Sequence, residues 1–155
     1  MEFKLLAVAT DFSPDADLAF ATALELAGQQ GARLLVAHVI PPLITPTPLL
    51  DDMMVSEMSM RLRESLSDSA QREMQDRYQR RADGVAVETL VLEGDPCREV
   101  VGMIKERGVD LLVLGSTGLS GLAEAFFGSV AAKAVRRAPC SVLVVRPAPA
   151  GSASA

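Results

Sequence analysis

The chain has 155 residues, of which 49% are hydrophobic and 4% aromatic, and its formal net charge is −5. This acidic balance excludes a general affinity for nucleic acid or for an anionic membrane surface, and no apolar run is long enough for a membrane-spanning helix. The two cysteines, Cys97 and Cys140, are far apart and lack the spacing of a metal site or a disulfide framework. We therefore expect a soluble, cytoplasmic protein without membrane or nucleic-acid partners.

The first forty residues predict a strand, a helix and a second strand. Residues 3–9 form a short apolar run, which is typical of a buried strand. The helix that follows starts at Ser13-Pro14, because serine caps helices and proline is favoured at the first helical position. We expect the helix to end near Gly28 or Gly31, before a second apolar strand at residues 33–40. Its first turn carries two acidic residues, which suit the positive end of the helix dipole: Asp15 and Asp17.

A proline-rich segment separates the second strand from a long helix. Residues 41–52, PPLITPTPLLDD, predict a loop. Residues 53–82 lack glycine and proline and predict a helix whose apolar residues recur at every fourth position. Such a row drifts by about 40° per step around an α-helix, so the helix must change its buried face along its length or start later. Four methionines near its start are predicted to pack against the protein, with a partner-binding or lid surface as the alternative: Met53, Met54, Met58 and Met60.

The second half of the chain continues to alternate strands with helices. The predicted strands are residues 85–93, 110–114 and 140–146. The predicted helices are residues 95–108, where Asp95-Pro96 repeats the cap-then-proline start, and about 128–138. Residues 1–147 then form one domain, followed by a disordered tail at 148–155. The order predicts a single-domain α/β fold, with an open five-stranded parallel sheet, helices on both faces and a Rossmann-like arrangement.

The segment 115–129, GSTGLSGLAEAFFGS, places four glycines between a predicted strand and a predicted helix. Ligands of open parallel sheets bind at the carboxyl ends of the strands, and this loop follows such an end. It is not a P-loop, because no glycine precedes Lys-Ser or Lys-Thr, and the first strand–helix turn, TDFSPD, is not a dinucleotide fingerprint. What remains is a loop of backbone N–H groups that leads into a helix N-terminus at Ser129, which favours a phosphate.

The glycine spacing resembles the nucleotide-binding pattern of the universal stress protein family, G-x2-G-x9-G-[ST]. Gly115, Gly118 and Gly128-Ser129 match that pattern. VATDFSPDADLAFATALELA, LLVAHVI, DLLVLGSTG and APCSVLVVR also look like segments of the family, and the resemblance covers residues 3–147. It implies the family's fold, which is Rossmann-like and adenine-nucleotide alpha hydrolase-like. The sequence departs from the family at Thr117, where members often have histidine.

The resemblance implies that ATP, together with Mg²⁺, binds at the carboxyl edge of the sheet. Asp11 would lie near the ribose, the phosphates or their metal ion, and Val39 would contact the adenine through its backbone. The resemblance also implies a homodimer through the last strand, Ser141–Val145. The residues that it implies for nucleotide binding are Thr10, Asp11, Val39, Gly115, Ser116, Gly118, Gly128, Ser129 and Val130.

Three functions remain open from the sequence. The first is a homodimeric, nucleotide-dependent switch of the stress response, because the chain has no Walker lysine and no evident base to activate water. No catalytic residue is predicted, and His38, the single histidine, is interpreted as a satisfied core residue. A second function is slow ATP hydrolysis or autophosphorylation, and a third is an interaction module that binds no nucleotide or senses another adenine nucleotide, such as a cyclic one. The hydroxyls available for autophosphorylation are Ser116, Thr117, Ser120 and Ser129.

Overall fold

Five parallel strands form one sheet in the computed structural model, which describes residues 1–43, 52–117 and 129–149. The strands are β1 (Leu5–Thr10), β2 (Arg33–Ile40), β3 (Val87–Glu93), β4 (Leu111–Gly115) and β5 (Ser141–Val145). The helices are α1 (Pro14–Gln30), α2 (Asp52–Arg77), α3 (Pro96–Arg107) and α4 (Ser129–Arg137), with a 3₁₀ turn at Gln79–Arg81. The strands lie side by side in the order β3-β2-β1-β4-β5, which confirms the predicted fold class.

The helices α1 and α3 begin where the sequence signals predicted, α3 ends at the predicted Gly108, and α1 ends at Gly31, the second of its two predicted stops. The side chains of Ser13 and Asp95 each accept a hydrogen bond from the backbone N–H three residues later, at 3.3 and 2.9 Å. Both helices end at a glycine in the left-handed conformation, Gly31 with φ 65° and Gly108 with φ 66°. Glycine adopts this conformation without a steric penalty, so these two positions end the helices cleanly.

The two faces of the sheet bury separate apolar cores, because successive strand side chains point to opposite faces. The helices α1 and α2 cover one face and α3 and α4 cover the other. Alanines on α1 are fully buried, and their small side chains let that helix lie close to the sheet: Ala19, Ala23 and Ala27. The strand side chains under α1 and α2 include Leu6, Val8, Leu34 and Val36. Those under α3 and α4 include Leu5, Ala7, Leu35, Ala37 and Val39.

The long helix α2 packs only through its C-terminal half. Ala70 and Met74 are buried, as is Tyr78 directly after the helix, whereas Met58 is 69% exposed. The prediction that the methionine group packs against the protein is therefore wrong. The reason is the four-residue spacing: Met58 and Met74 are sixteen residues apart, which places them about 160° apart around the helix axis. The helix also ends at Arg77 rather than at residue 82. All four methionines are exposed: Met53, Met54, Met58 and Met60.

Some predictions fall outside the described residues. They are most of the loop 41–52, the positions Gly118, Ser120 and Gly128, and the end of the tail 148–155. Within the ranges that are described, no helix combines the length and the apolar character needed to cross a membrane.

Candidate functional site

The strand order creates a crevice at the carboxyl ends of β1 and β4. From β1 the chain continues outward through β2 and β3, then crosses back to place β4 on the other side of β1. This is the topological switch point, where ligands bind in open parallel sheets. The structure brings five of the predicted residues to this edge: Thr10 and Asp11 at the end of β1, Val39 near the end of β2, and Gly115 and Ser116 at the end of β4. Ser129 and Val130 begin α4.

A tight turn after β1 fixes the backbone around Asp11. The Asp11 Oδ1 atom accepts a hydrogen bond from the backbone N–H of Ser13 at 3.0 Å. Oγ1 of Thr10 accepts one from the backbone N–H of Phe12 at 3.0 Å. Thr10 is buried, and its hydroxyl also lies 2.6 Å from the hydroxyl of Tyr78. The Thr10 side chain therefore shapes the turn that carries Asp11.

Gly115 allows β4 to approach the first turn of α1 closely. A Cβ atom at this position would lie 2.7 Å from both the carbonyl carbon and the carbonyl oxygen of Asp15. Real Cβ atoms do not approach backbone atoms so closely, so any other residue would push the strand and the helix apart. This glycine thus has a packing role in addition to its predicted place in the phosphate loop.

Asp15 anchors the start of the glycine loop, which the sequence analysis did not predict. Its Oδ2 atom accepts hydrogen bonds from the Ser116 hydroxyl and the Thr117 backbone N–H, both at 3.0 Å, and from the Thr117 hydroxyl. The bond from the Thr117 hydroxyl is the main reason why the pKa of Asp15 is lowered. From the sequence, Asp15 is expected only to suit the helix dipole, because no local signal reveals partners that lie about a hundred residues away.

A second network ties the β1–α1 turn to the end of α2. The Tyr78 hydroxyl donates to Oδ1 of Asp17 at 2.8 Å, and Nη1 of Arg77 donates to Oδ2 of Asp17 at 3.1 Å. Arg77 also donates to the Phe12 carbonyl oxygen at 3.0 Å. Burial raises the pKa of Tyr78 well above its usual value, so the phenol stays protonated as a donor. This network holds the β1–α1 turn against the C-terminal end of α2.

The N-terminus of α4 differs from the other helix starts near the site. Asp15 and Asp17 lie in the first turn of α1, and Glu99 lies in the first turn of α3. The first turn of α4 has no acidic residue. The positive end of its dipole is therefore not offset by a carboxylate of its own first turn, which suits an anionic ligand.

The family model described as "Universal stress protein family" matches residues 2–146. The chain belongs to this family. As a universal stress protein it is 33% identical to YxiE of Bacillus subtilis over 147 residues, covering 93% of the chain and 99% of YxiE. The solved structure of MJ0577 from Methanocaldococcus jannaschii has a TM-score of 0.81 and 26% identity, covering 95% of the chain and 98% of MJ0577. Another similar structure is a universal stress protein in complex with cAMP, with a TM-score of 0.67, 27% identity and coverage of 94% and 98%.

Proposed function

We propose that this universal stress protein binds ATP together with Mg²⁺ at the carboxyl edge of the sheet and acts as a homodimeric, nucleotide-dependent switch in the cytoplasm. The observation that carries the proposal is the position of the glycine pattern. Its first glycine, Gly115, lies at the switch point beside β1, and its last, Gly128, directly precedes α4. The two free thiols, Cys97 and Cys140, suit the reducing compartment that the proposal assumes.

Each end of the glycine loop suits one part of the nucleotide. In this proposal the backbone of Val39 contacts the adenine and the Asp11 carboxylate lies near the ribose. Backbone N–H groups of Gly118, Gly128 and the first turn of α4 receive the phosphates, since helix starts and glycine loops favour anions. Gly115 and Ser116 hold the loop against α1, and Thr10 holds the turn that carries Asp11. Ser129 and Val130 are the first two residues of α4, and in this proposal they provide the helix N-terminus that faces the phosphates.

The metal ion enters this proposal with the nucleotide. Among the described residues, no group of three or more histidine, cysteine or acidic side chains is arranged to hold a metal ion by itself. Mg²⁺ prefers oxygen ligands and commonly combines one carboxylate with phosphate oxygens and water. Asp11 is the carboxylate at the switch point that fits this chemistry. When bound, the metal would neutralise phosphate charge.

The contacts at the two ends of the glycine loop favour a switch function over rapid hydrolysis of ATP. Asp15 holds Ser116 and Thr117 at the loop's first end, and α4 begins at its second end. A nucleotide that binds N–H groups along the loop joins these two fixed ends. Phosphate-dependent ordering of a loop is a known way to change a surface that a partner recognises.

The solved cAMP complex of a similar universal stress protein favours a second candidate, the sensing of a cyclic nucleotide. Calorimetric titration of nucleotide-free protein with ATP·Mg²⁺, and separately with cAMP, distinguishes the two functions. We expect saturable heat with ATP·Mg²⁺ and weaker binding of cAMP, because the α4 end of the loop is suited to several phosphates. Tighter binding of cAMP than of ATP·Mg²⁺ would contradict the ATP proposal and favour the sensing of a cyclic nucleotide.

The strand β5 supports the homodimer, because it lies at one edge of the sheet. An edge strand presents backbone N–H and C=O groups that a second strand can pair with. Four of its five residues are apolar and half-buried, from Val142 to Val145. We therefore propose that two copies of the chain meet along Ser141–Val145.

A further inference from the structure

A cavity of about 460 Å³ lies beside the switch point, between the carboxyl ends of β1 and β2 and the middle of α2. Its walls include Phe12 from the β1–α1 turn, His38 and Ile40 from β2, and Leu66, Ser69 and Glu73 from α2. Of the residues proposed for nucleotide binding that the structure describes, none lines it.

The cavity lining from β2 and the side chain of Val39 lie on different faces of the sheet. His38 and Ile40 alternate along β2 with Val39, whose side chain belongs to the core under α3 and α4. The cavity instead lies under α2, which covers the opposite face. The side chains that line the cavity therefore differ from those proposed to hold the nucleotide.

Phe12 is held in an unusual backbone conformation at the cavity wall. Its φ is 63°, in the left-handed region that side chains other than glycine seldom adopt. Two hydrogen bonds hold it there: its N–H donates to Oγ1 of Thr10, and its carbonyl oxygen accepts from Arg77. The guanidinium of Arg77 also lies 5.7 Å from the centre of the Phe12 ring. The protein thus tolerates backbone strain at a residue that lines a cavity, and such strain clusters at functional sites.

His38 contributes a fixed hydrogen-bond acceptor. Its Nδ1 atom lies 2.8 Å from the carbonyl oxygen of Thr10. Because a carbonyl oxygen can only accept, Nδ1 carries the proton, and Nε2 of the neutral ring is an acceptor. The His38 and Phe12 rings lie 4.4 Å apart at an interplanar angle of 33°, so they form an aromatic corner. The Glu73 carboxylate in the α2 wall already accepts a hydrogen bond from Nε of Arg77, so Nε2 of His38 is the acceptor that the proposal assigns to a ligand.

We propose that this cavity is a second ligand site, for a small aromatic molecule of one or two rings that carries an N–H or O–H donor. Its volume lies within the range of about 300–1,000 Å³ typical of small-molecule sites, which combine apolar walls with a few polar groups. The ligand ring packs against Phe12 and His38, and its donor bonds to Nε2 of His38. The acceptor at Nε2 of His38 selects a ligand that donates.

Proton NMR of the His38 ring tests the proposal, because the chain has a single histidine and its signals need no assignment among others. The full chain without nucleotide is titrated with each probe at one constant pH, so that only binding changes the His38 signals. The two probes are indole and benzofuran, which match in shape while only indole has an N–H donor. We expect saturable shifts with both, and indole to bind roughly five- to tenfold more tightly, the effect of one hydrogen bond.

Variants distinguish binding in the cavity from unspecific binding elsewhere on the protein. His38→Phe keeps an aromatic ring and removes the acceptor, so indole should lose its advantage over benzofuran, with backbone amide shifts as the readout. Leu66→Ala should weaken both probes, whereas Leu62→Ala, one turn earlier on α2 and outside the cavity wall, should change neither. Both leucines are partly exposed, so both variants are expected to fold. Three results would each overturn the proposal: no saturable His38 shift in the parent protein, equal affinity for the two probes, or equal weakening by the two leucine variants.

Discussion

At the scale of single residues, the close contact between Gly115 and Asp15 makes this position sensitive to substitution. Gly115→Ala places a Cβ atom 2.7 Å from the Asp15 carbonyl group, so β4 and α1 must separate. We expect the free energy of unfolding to fall by about 1–3 kcal/mol, as for other overpacked sites. Urea denaturation measures the change.

The matched control for Gly115→Ala is Gly102→Ala. Gly102 lies inside α3, and an added Cβ atom there meets nothing within 4 Å. Alanine is the better helix former, so this variant should gain about 0.5–1 kcal/mol. Equal stability changes at the two glycines would show that close packing at Gly115 is not the cause.

Asp15 gives the site a pH-dependent contribution to stability. The pKa of Asp15 is lowered in the folded protein, mainly because the Thr117 hydroxyl donates to its carboxylate. A lowered pKa means that the carboxylate stabilises the fold above the usual titration range of aspartate, near pH 4, and that this contribution is lost as the pH falls through the folded-state value. Asp15→Asn should therefore be less stable than the parent at pH 7, with the gap closing below about pH 4. A gap that stays constant from neutral to acidic pH would contradict the assignment.

The sequence alone could place Asp11, Val39 and Gly115 at one edge, because parallel strands bring their carboxyl ends together. It could not reveal the role of Asp15. The partners of its carboxylate are 101 and 102 residues away, and only the position of β4 against α1 brings them into contact.

At the scale of elements, α2 divides into a packed half and an exposed half. Met74 is fully buried, and Met58 is 69% exposed. Met74→Ala should reduce the free energy of unfolding by about 2–5 kcal/mol, the range for a truncated core side chain. Met58→Ala should change it by less than about 0.5 kcal/mol, as for other surface positions. A loss of several kcal/mol at Met58, measured by denaturation, would mean that its side chain packs in solution.

The sequence predicts well those features that depend on neighbouring residues, and poorly those that depend on where a helix meets the sheet. The start of α1 at Pro14 and its end before Gly31 follow from local chemistry, and so do the bounds of α3. The buried face of α2 depends instead on where the helix meets the sheet. A row of apolar residues with a drifting spacing fits several docking positions, so the four-residue pattern could not show that only the stretch from Ala70 onward packs.

At the scale of the whole molecule, the proposed homodimer depends on β5. Val144→Lys places a charge on the half-buried edge strand and should weaken dimerisation at least tenfold in sedimentation experiments, since an edge lysine opposes strand pairing. Val135→Lys is the control, because Val135 on α4 is already 52% exposed. A parent protein that sediments as a monomer, or equal effects of the two substitutions, would contradict the proposed interface.

The central claim is that the glycine loop holds the phosphates of ATP, and one comparison tests it most directly. Calorimetric titration with ATP·Mg²⁺ is carried out on the parent protein and on Gly118→Val. A β-branched side chain restricts the backbone and would crowd a phosphate bound by N–H groups, so we predict saturable binding by the parent and none by the folded variant. Removal of residues 148–155 should leave the affinity unchanged. Equal affinity of the parent and a folded Gly118→Val protein, or no binding by either, would contradict the account.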